Sequence, residues 1–183
     1  VKHKKTASVC SSEEEGENFK KTLIRAKDTQ PRPGAWRVDT DGHDGKDYVG
    51  TKTFISDKGS TFSVKPDGDI ISVCVNKFDT MSGSELLQMA VKAGGTKLDS
   101  FDGNFSFYLK NGFEPVSWTK FDMQYKPKGW RKTYTQEAVV FFKYTGVPVK
   151  SKDAQELKIS QFYKNVKMSE DYNTAKSIRD MEV

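Results

Sequence analysis

Residues able to carry nucleophilic or metal chemistry are few in this chain. The two cysteines, Cys10 and Cys74, and the two histidines, His3 and His43, lie far apart and without metal-ligand spacing, so neither a zinc ribbon nor a disulfide framework is expected. A Cys74 nucleophile would need an adjacent imidazole to lower its pKa. With two histidines in the whole chain, nucleophilic catalysis is not the expectation. The loop Asp39-Thr40-Asp41-Gly42-His43-Asp44-Gly45 suggests a metal site, but an EF-hand wants Asp or Asn at its fifth position and Gly at its sixth. His43 and Asp44 stand there instead, so a solvated turn is expected and no metal.

Phosphate binding has a better candidate. Met81, Ser82, Gly83 and Ser84 precede Glu85 and the apolar positions Leu86, Leu87, Met89, Ala90 and Val91. A helix N-terminus leaves N–H groups unpaired and carries about half a positive charge, so an exposed turn of small residues there can hold a pyrophosphate. The same residues also describe an ordinary helix start, with Ser82 as N-cap and Glu85 three places on. From Lys120 to Tyr134 the chain places Lys120, Lys126, Lys128, Arg131 and Lys132 among Phe121, Tyr125, Trp130 and Tyr134. Cations interleaved with stacking side chains suit single-stranded nucleic acid or an acidic partner. No recognised nucleic-acid module accompanies them, so the expectation is a long loop pinned by its aromatics, without nucleic acid as a partner.

The elements that position these residues follow from periodicity and turn chemistry. Phe19, Leu23, Ile24 and Ala26 predict a first helix ended by Pro31 and Pro33, and a strand or turn is expected around Trp36 to Val38. Segments 52–56, 60–65 and 69–76 predict an antiparallel meander, separated by Asp57-Lys58-Gly59 and Pro66-Asp67-Gly68. The third run is nearly continuous in apolar residues, as in a strand covered on both faces near the centre of a sheet. A helix from Ser82 to Gly94, a strand over 96–101, a helix carrying Phe105, Tyr108 and Leu109, and strands over 113–121 and 138–144 complete the body. Ile159, Phe162, Tyr163 and Val166 predict a further helix, and Tyr172, Ala175, Ile178 and Met181 a second one of weaker period.

Composition bounds the rest. The 183 residues fit one domain with some tail. A mean hydropathy of −0.71 and 30% charged residues exclude a run of about 20 apolar residues, so no membrane span is expected. The net charge of +5 permits anionic ligands without demanding nucleic acid. Low cysteine content points to a reducing compartment, the cytoplasm, and the N-terminus has no signal-peptide run, which argues against secretion if the chain is complete.

The order helix, meander, helix, strand, helix, strand, strand resembles the GNAT acyltransferase superfamily. Three stretches between about Phe19 and Tyr144 carry the resemblance. Pro66-Asp67-Gly68-Asp69-Ile70-Ile71-Ser72-Val73 looks like the hairpin into the fourth GNAT strand. Met81 to Val91 looks like the pyrophosphate loop with its helix, and Tyr108-Leu109-Lys110-Asn111-Gly112-Phe113 is similar to the family's Tyr-x-x-x-Gly-Phe signature. The layout is also similar to that of GNAT-like proteins encoded by bacteriophages.

The resemblance implies a mixed α/β (α+β) fold: a twisted, mostly antiparallel sheet, splayed near its centre, with helices on both faces. That domain would span 17–150, between a polar N-terminal arm, 1–16, and a C-terminal helical extension, 151–183. The implied reaction is acetyl transfer from acetyl-CoA to an amine on a small molecule or protein. Tyr108 would protonate the departing thiolate, although a core tyrosine between Phe105 and Leu109 fits the same pattern. The amides of Val73, Val75, Met81, Ser82, Gly83 and Ser84 would hold the cofactor, and Asn104 or Asp102 would stand for the asparagine preceding the Tyr108 helix. Asp69 is the carboxylate offered as general base, with Ser72 and Cys74 further along its strand, and 39–45 approaches the acceptor side. The alternative is a catalytically inactive phage or host protein, cytoplasmic or virion-associated, that binds a partner protein through its arm or C-terminal helices.

Overall fold

Three short runs rich in Thr, Phe, Ile and Val, separated by turn residues, pair side by side as the meander predicts. They are β2 (Lys52–Ile55), β3 (Thr61–Val64) and β4 (Ile70–Cys74), all antiparallel, with Phe54 opposite Phe62 and their rings stacked at 5.1 Å. The structure is a computed structural model that describes residues 6–31, 34–40, 42–121 and 137–183. These residues divide into two compact units between Gly95 and Thr96.

In the first unit, β1 (Ser8–Val9) pairs with Lys52 and Thr53, giving the sheet order β1-β2-β3-β4. Residues 8–16 are therefore part of the fold rather than an arm. Backbone pairing needs no apolar side chain, and the acidic residues Glu13, Glu14 and Glu15 form the first turn of α1 (Glu13–Thr29), where they complement the helix dipole. Ser12 caps that turn by accepting from the Glu15 amide. Cys10 is buried with Phe19, Tyr48 and Ile55, while Leu23 and Ala26 pack with Cys74. Helix α1 ends just before Pro31, and Gly34–Arg37 forms a 3-10 turn where a strand or turn was expected. Helix α2 (Gly83–Lys92) buries Leu86, Leu87 and Ala90.

One expectation about this sheet is corrected. β4 lies at the end of its sheet order, and Ile71, Ser72 and Val73 are half-buried rather than covered on both faces. Its register with β3 shifts between Thr61 and Ser63, and such an irregularity breaks the alternation that a plain reading of the apolar run assumes.

The second unit contains β5 (Lys97–Phe101), α3 (Phe105–Lys110), β6 (Phe113–Lys120), β7 (Ala138–Tyr144), α4 (Lys152–Asn165) and α5 (Tyr172–Asp180). Its sheet runs β5-β7-β6, antiparallel throughout. The strands thus form two hydrogen-bonded sheets and not the single sheet expected. β4 and β5 are joined through a helix rather than by the hairpin that consecutive antiparallel strands use. The fold class is α+β, with five α-helices among the described residues.

The C-terminal residues pack within this unit. Phe105 meets the rings of Phe142 and Phe162. Trp118 Nε1 donates to the Val166 carbonyl at 2.9 Å, Thr119 Oγ1 to Ser169 at 3.0 Å and Ser117 Oγ to Ala175 at 2.6 Å. The Ser169 amide donates to the Trp118 carbonyl. In α5 the predicted stripe is only partly right: Ala175 is buried, but Tyr172, Ile178 and Met181 are exposed. The large side chain that α5 buries is Arg179, at 0% exposure, because Asp180 at 3.0 Å, Asp99 at 4.0 Å and the Phe141 ring supply a charged and aromatic seat.

Candidate functional site

The turn before α2 forms as its sequence suggests. Ser82 is extended at the N-cap, and its Oγ accepts from the Glu85 amide at 3.1 Å while lying 3.2 Å from Glu85 Oε1. The first helical bond runs from the Leu86 amide to the Ser82 carbonyl. The Gly83 and Ser84 amides precede it and have no acceptor among the described residues. The Met81 amide is engaged, donating to Asp79 Oδ1 at 3.0 Å. Asp79 also accepts from the hydroxyls of Ser56 and Ser60. Burial pushes its carboxyl up, but bonds from Ser56, Met81, Ser60 and Thr80 outweigh this and hold it below the usual carboxylate range. Asp79, Asp57, Glu85 and Lys58 line a depression of about 280 Å³ beside the turn, together with Ser56, Thr80 and Met81.

The other residues expected at the cofactor lie nearby in sequence. Val73 is half-buried in β4, and Val75 follows the strand with its carbonyl accepting from Gln30 Nε2. Between Ile71 and Val73, Ser72 adopts φ +57°, the one non-glycine residue in the left-handed region among the described residues. That conformation costs about 1–2 kcal/mol. Its Oγ lies 2.7 Å from the Tyr48 hydroxyl, and its carbonyl accepts from Thr61 Oγ1 at 2.9 Å.

Tyr48 connects the strand to the 39–45 loop. Its ring is buried against Phe19 and lies 5.7 Å from the His43 ring. Burial pushes its phenol up to about 12, against the Ser72 hydrogen bond and helped by Asp39 and Asp47. His43 is half-buried. Desolvation, reinforced by Lys65, lowers it below 6.5, while Asp39, Asp47 and Asp69 act in the opposite sense. The imidazole is therefore mostly neutral at pH 7. Asp69 is buried at the mouth of the hairpin, with its amide bonded to Asp67 Oδ1 and its carbonyl to the Lys65 amide.

The loop is held from several sides. Asp39 Oδ1 accepts from the Gly42 amide, Asp47 Oδ2 from the Asp44 amide, and Glu17 Oε1 from the Gly45 amide at 2.8 Å. Gly16 of α1 lies so close to Gly45 that a Cβ there would stand 1.9 Å from the Gly45 carbonyl oxygen. Sequence reasoning missed Tyr48, and it treated His43 as part of a solvated turn. The signal available was a histidine within an Asp- and Gly-rich loop, with nothing to indicate which strand it would meet.

Tyr108 belongs to the second unit. It is buried among the rings of Phe107, Phe113 and Phe142, and its hydroxyl bonds Ser100. Burial pushes its phenol up to about 12, so it is a protonated donor at neutral pH. Asn104 Nδ2 donates to Ser100 Oγ at 3.2 Å, so Ser100 links two residues that the sequence singled out. Asp102, the alternative to Asn104, instead accepts from the Tyr163 hydroxyl. Cys74 is buried and its thiol is pushed to about 12, which leaves it an inert packing residue.

No group of three or more His, Cys, Asp or Glu side chains able to hold a metal occurs among the described residues. No described helix is long and apolar enough to cross a membrane. The basic and aromatic stretch Lys120 to Tyr134 lies outside the described residues except for Lys120 and Phe121. Comparisons with protein-family models, with curated proteins and with solved structures return no match to this chain.

Proposed function

We propose that this chain is a GNAT-like acyltransferase that moves an acetyl group from acetyl-CoA to an amine. The observation that carries this reading is the order of elements: α1, the meander β2-β3-β4, α2, β5, α3, β6, β7 follows the order through which the sequence resembles the superfamily. The Gly83 and Ser84 amides fit a pyrophosphate, since they open a helix and have no acceptor among the described residues. Ser82 and Met81 shape that turn through the cap and the bond to Asp79. Acetyl-CoA supplies an acyl group activated as a thioester. The Tyr108 phenol, protonated at neutral pH, is the proton donor of the proposed reaction, with Asn104 and Ser100 fixing its hydroxyl.

One observation favours the rival reading of a non-catalytic interaction module. Asp79 keeps a negative charge beside Met81, on the side of the turn where phosphates would approach. Like charges a few ångströms apart in a solvated site cost about 1 kcal/mol. Thermal unfolding with and without millimolar acetyl-CoA separates the readings. At about 100 times its dissociation constant the cofactor stabilises by about 2.7 kcal/mol. Gly83→Glu should abolish that shift, and Asp79→Asn should tighten binding roughly twofold to fivefold through the removed repulsion. No thermal shift, together with no heat in calorimetry, would leave the interaction module as the reading.

A further inference from the structure

We propose that α5 is an ion-clasped latch: it leaves its sheet as a unit while β5, β7 and β6 stay paired, and its departure uncovers a strip of aromatic side chains. The inference stands apart from the acyl-transfer reading and needs no substrate.

Helix α5 has nine residues, and helices shorter than about 12–15 residues barely persist by themselves in water. Contacts with the rest of the unit must therefore hold it in shape. Its buried residues are Ala175 and Arg179, so the one apolar side chain it buries is a methyl group. Helix α2, one residue longer, buries Leu86, Leu87 and Ala90. What seats α5 is polar. Ser117 Oγ donates to the Ala175 carbonyl at 2.6 Å and the Tyr172 hydroxyl to Asp99 Oδ1 at 3.0 Å. Lys97 pairs with Asp180 at 3.0 Å, Lys143 with Glu182 at 3.4 Å, and Arg179 reaches Asp99 at 4.0 Å. A segment with little buried apolar surface belongs to the low-stability end of a fold, where opening precedes global unfolding.

The register of the sheet shows what the clasp acts against. Lys97 and Lys143 stand directly opposite each other across β5 and β7, and like charges in that relation destabilise a sheet. With α5 seated, Asp180 lies on one ammonium and Glu182 on the other. Glu114 of β6, at 3.9 Å from Lys143, stays with the sheet when α5 leaves. The clasp carboxylates are partly in solvent, with side-chain exposures of 34% for Asp180 and 51% for Glu182, so dissolved ions screen the hold. Beneath α5, Ala175 closes a cluster of Phe121, Val139 and Phe141 with Phe101 packed against it. Removing the helix exposes that strip.

The test is native-state hydrogen exchange, followed by NMR on the full chain at about 0.01 M and about 1 M NaCl, where the screening length falls from about 30 Å to about 3 Å. The α5 amides should exchange at least about tenfold faster than those of β7, and the gap should widen at high salt. Asp180→Asn with Glu182→Gln removes both carboxylates of the clasp and should speed α5 exchange a further 2–30-fold or so, the range for two partly exposed ion pairs. An apolar fluorescent dye should bind the double variant more strongly than wild type while the β5 and β7 amides remain protected. Wild-type α5 amides that exchange together with those of β7 at both salt concentrations overturn the latch, whether or not the variant folds. A gap that neither salt nor the double substitution changes overturns the ionic clasp.

Discussion

Gly16→Ala tests the contact that seats the His43 loop, because two general effects oppose each other there. In an ordinary exposed helix the change stabilises by about 0.8–1 kcal/mol, since alanine restricts the unfolded chain and favours helix. In α1 the new Cβ would lie 1.9 Å from the Gly45 carbonyl oxygen and 2.8 Å from its carbonyl carbon. Both atoms are backbone, so no side chain can swing away. Restoring van der Waals separation needs a displacement of about 1.5 Å, which also strains the bond from the Gly45 amide to Glu17 at 2.8 Å. Overpacking of this kind costs about 1–3 kcal/mol, and a weakened hydrogen bond to a charged group about 1.5 more. The clash wins, leaving a net loss of about 2 kcal/mol and a fall in Tm of roughly 4–8 °C. Asn18→Ala on the exposed face of α1 is the control, expected to be neutral or mildly stabilising. Differential scanning calorimetry on the three proteins is the assay. A Gly16→Ala protein melting at or above wild type would refute the close approach of α1 to the loop.

Three further predictions concern the second unit. Tyr108→Phe should cost about 0.5–1.5 kcal/mol from the lost Ser100 bond and reduce turnover about 10²–10⁴-fold with cofactor affinity unchanged; near wild-type turnover would remove Tyr108 from the mechanism. Arg179→Met should cost about 1–3 kcal/mol in urea unfolding, because it removes the charged hydrogen bonds of a fully buried guanidinium to Asp180 while that carboxylate keeps Lys97 as a partner. For Asp180, burial acts to raise the carboxyl pKa, but bonds and charges from Lys97 and Arg179 hold it below the usual range. Its contribution to stability is thus complete above about pH 4 and is lost as pH falls through the lowered value. Asp180→Asn should flatten acid unfolding there, and an unchanged acid limb would show that the cluster contributes nothing.

Local chemistry made much of the architecture legible. Ser82, read from sequence as an N-cap, accepts the Glu85 amide, because capping depends on a side chain and the amide three residues on; Ser12, Ser151 and Asp171 cap their helices in the same way without having been singled out. The meander was legible for the same reason: its turn residues lie between its strands. What escaped depends on contacts distant in sequence. β1 is two residues of backbone pairing with no apolar signature. Burial of Arg179 requires Asp99 and Phe141, which no helical period announces. The left-handed Ser72 occupies a conformation usually taken by glycine or asparagine, so its type gave no warning. Without Ser72 the association of Tyr48 with His43 could not be anticipated. Tyr108 remained open between acid and core residue because both uses place a phenol on the buried side of a short helix.

The segment between α4 and α5 has a consequence for synthesis of the chain. β6 borders its sheet, and an uncovered border offers unpaired backbone groups to any passing strand. Here the Ser169 amide takes the Trp118 carbonyl, while Thr119 and Trp118 anchor the same stretch from the side. The partners Thr119 and Ser169 are 50 residues apart. At ribosomal rates of about 5–20 residues per second, roughly 2.5–10 s separate the emergence of the border from the arrival of its cover. During that interval, neighbouring nascent chains on one message present identical open borders to each other. Residues 166–169 thus act as a late-arriving seal, and a translational pause just upstream of them would favour aggregation without altering a single contact of the finished fold.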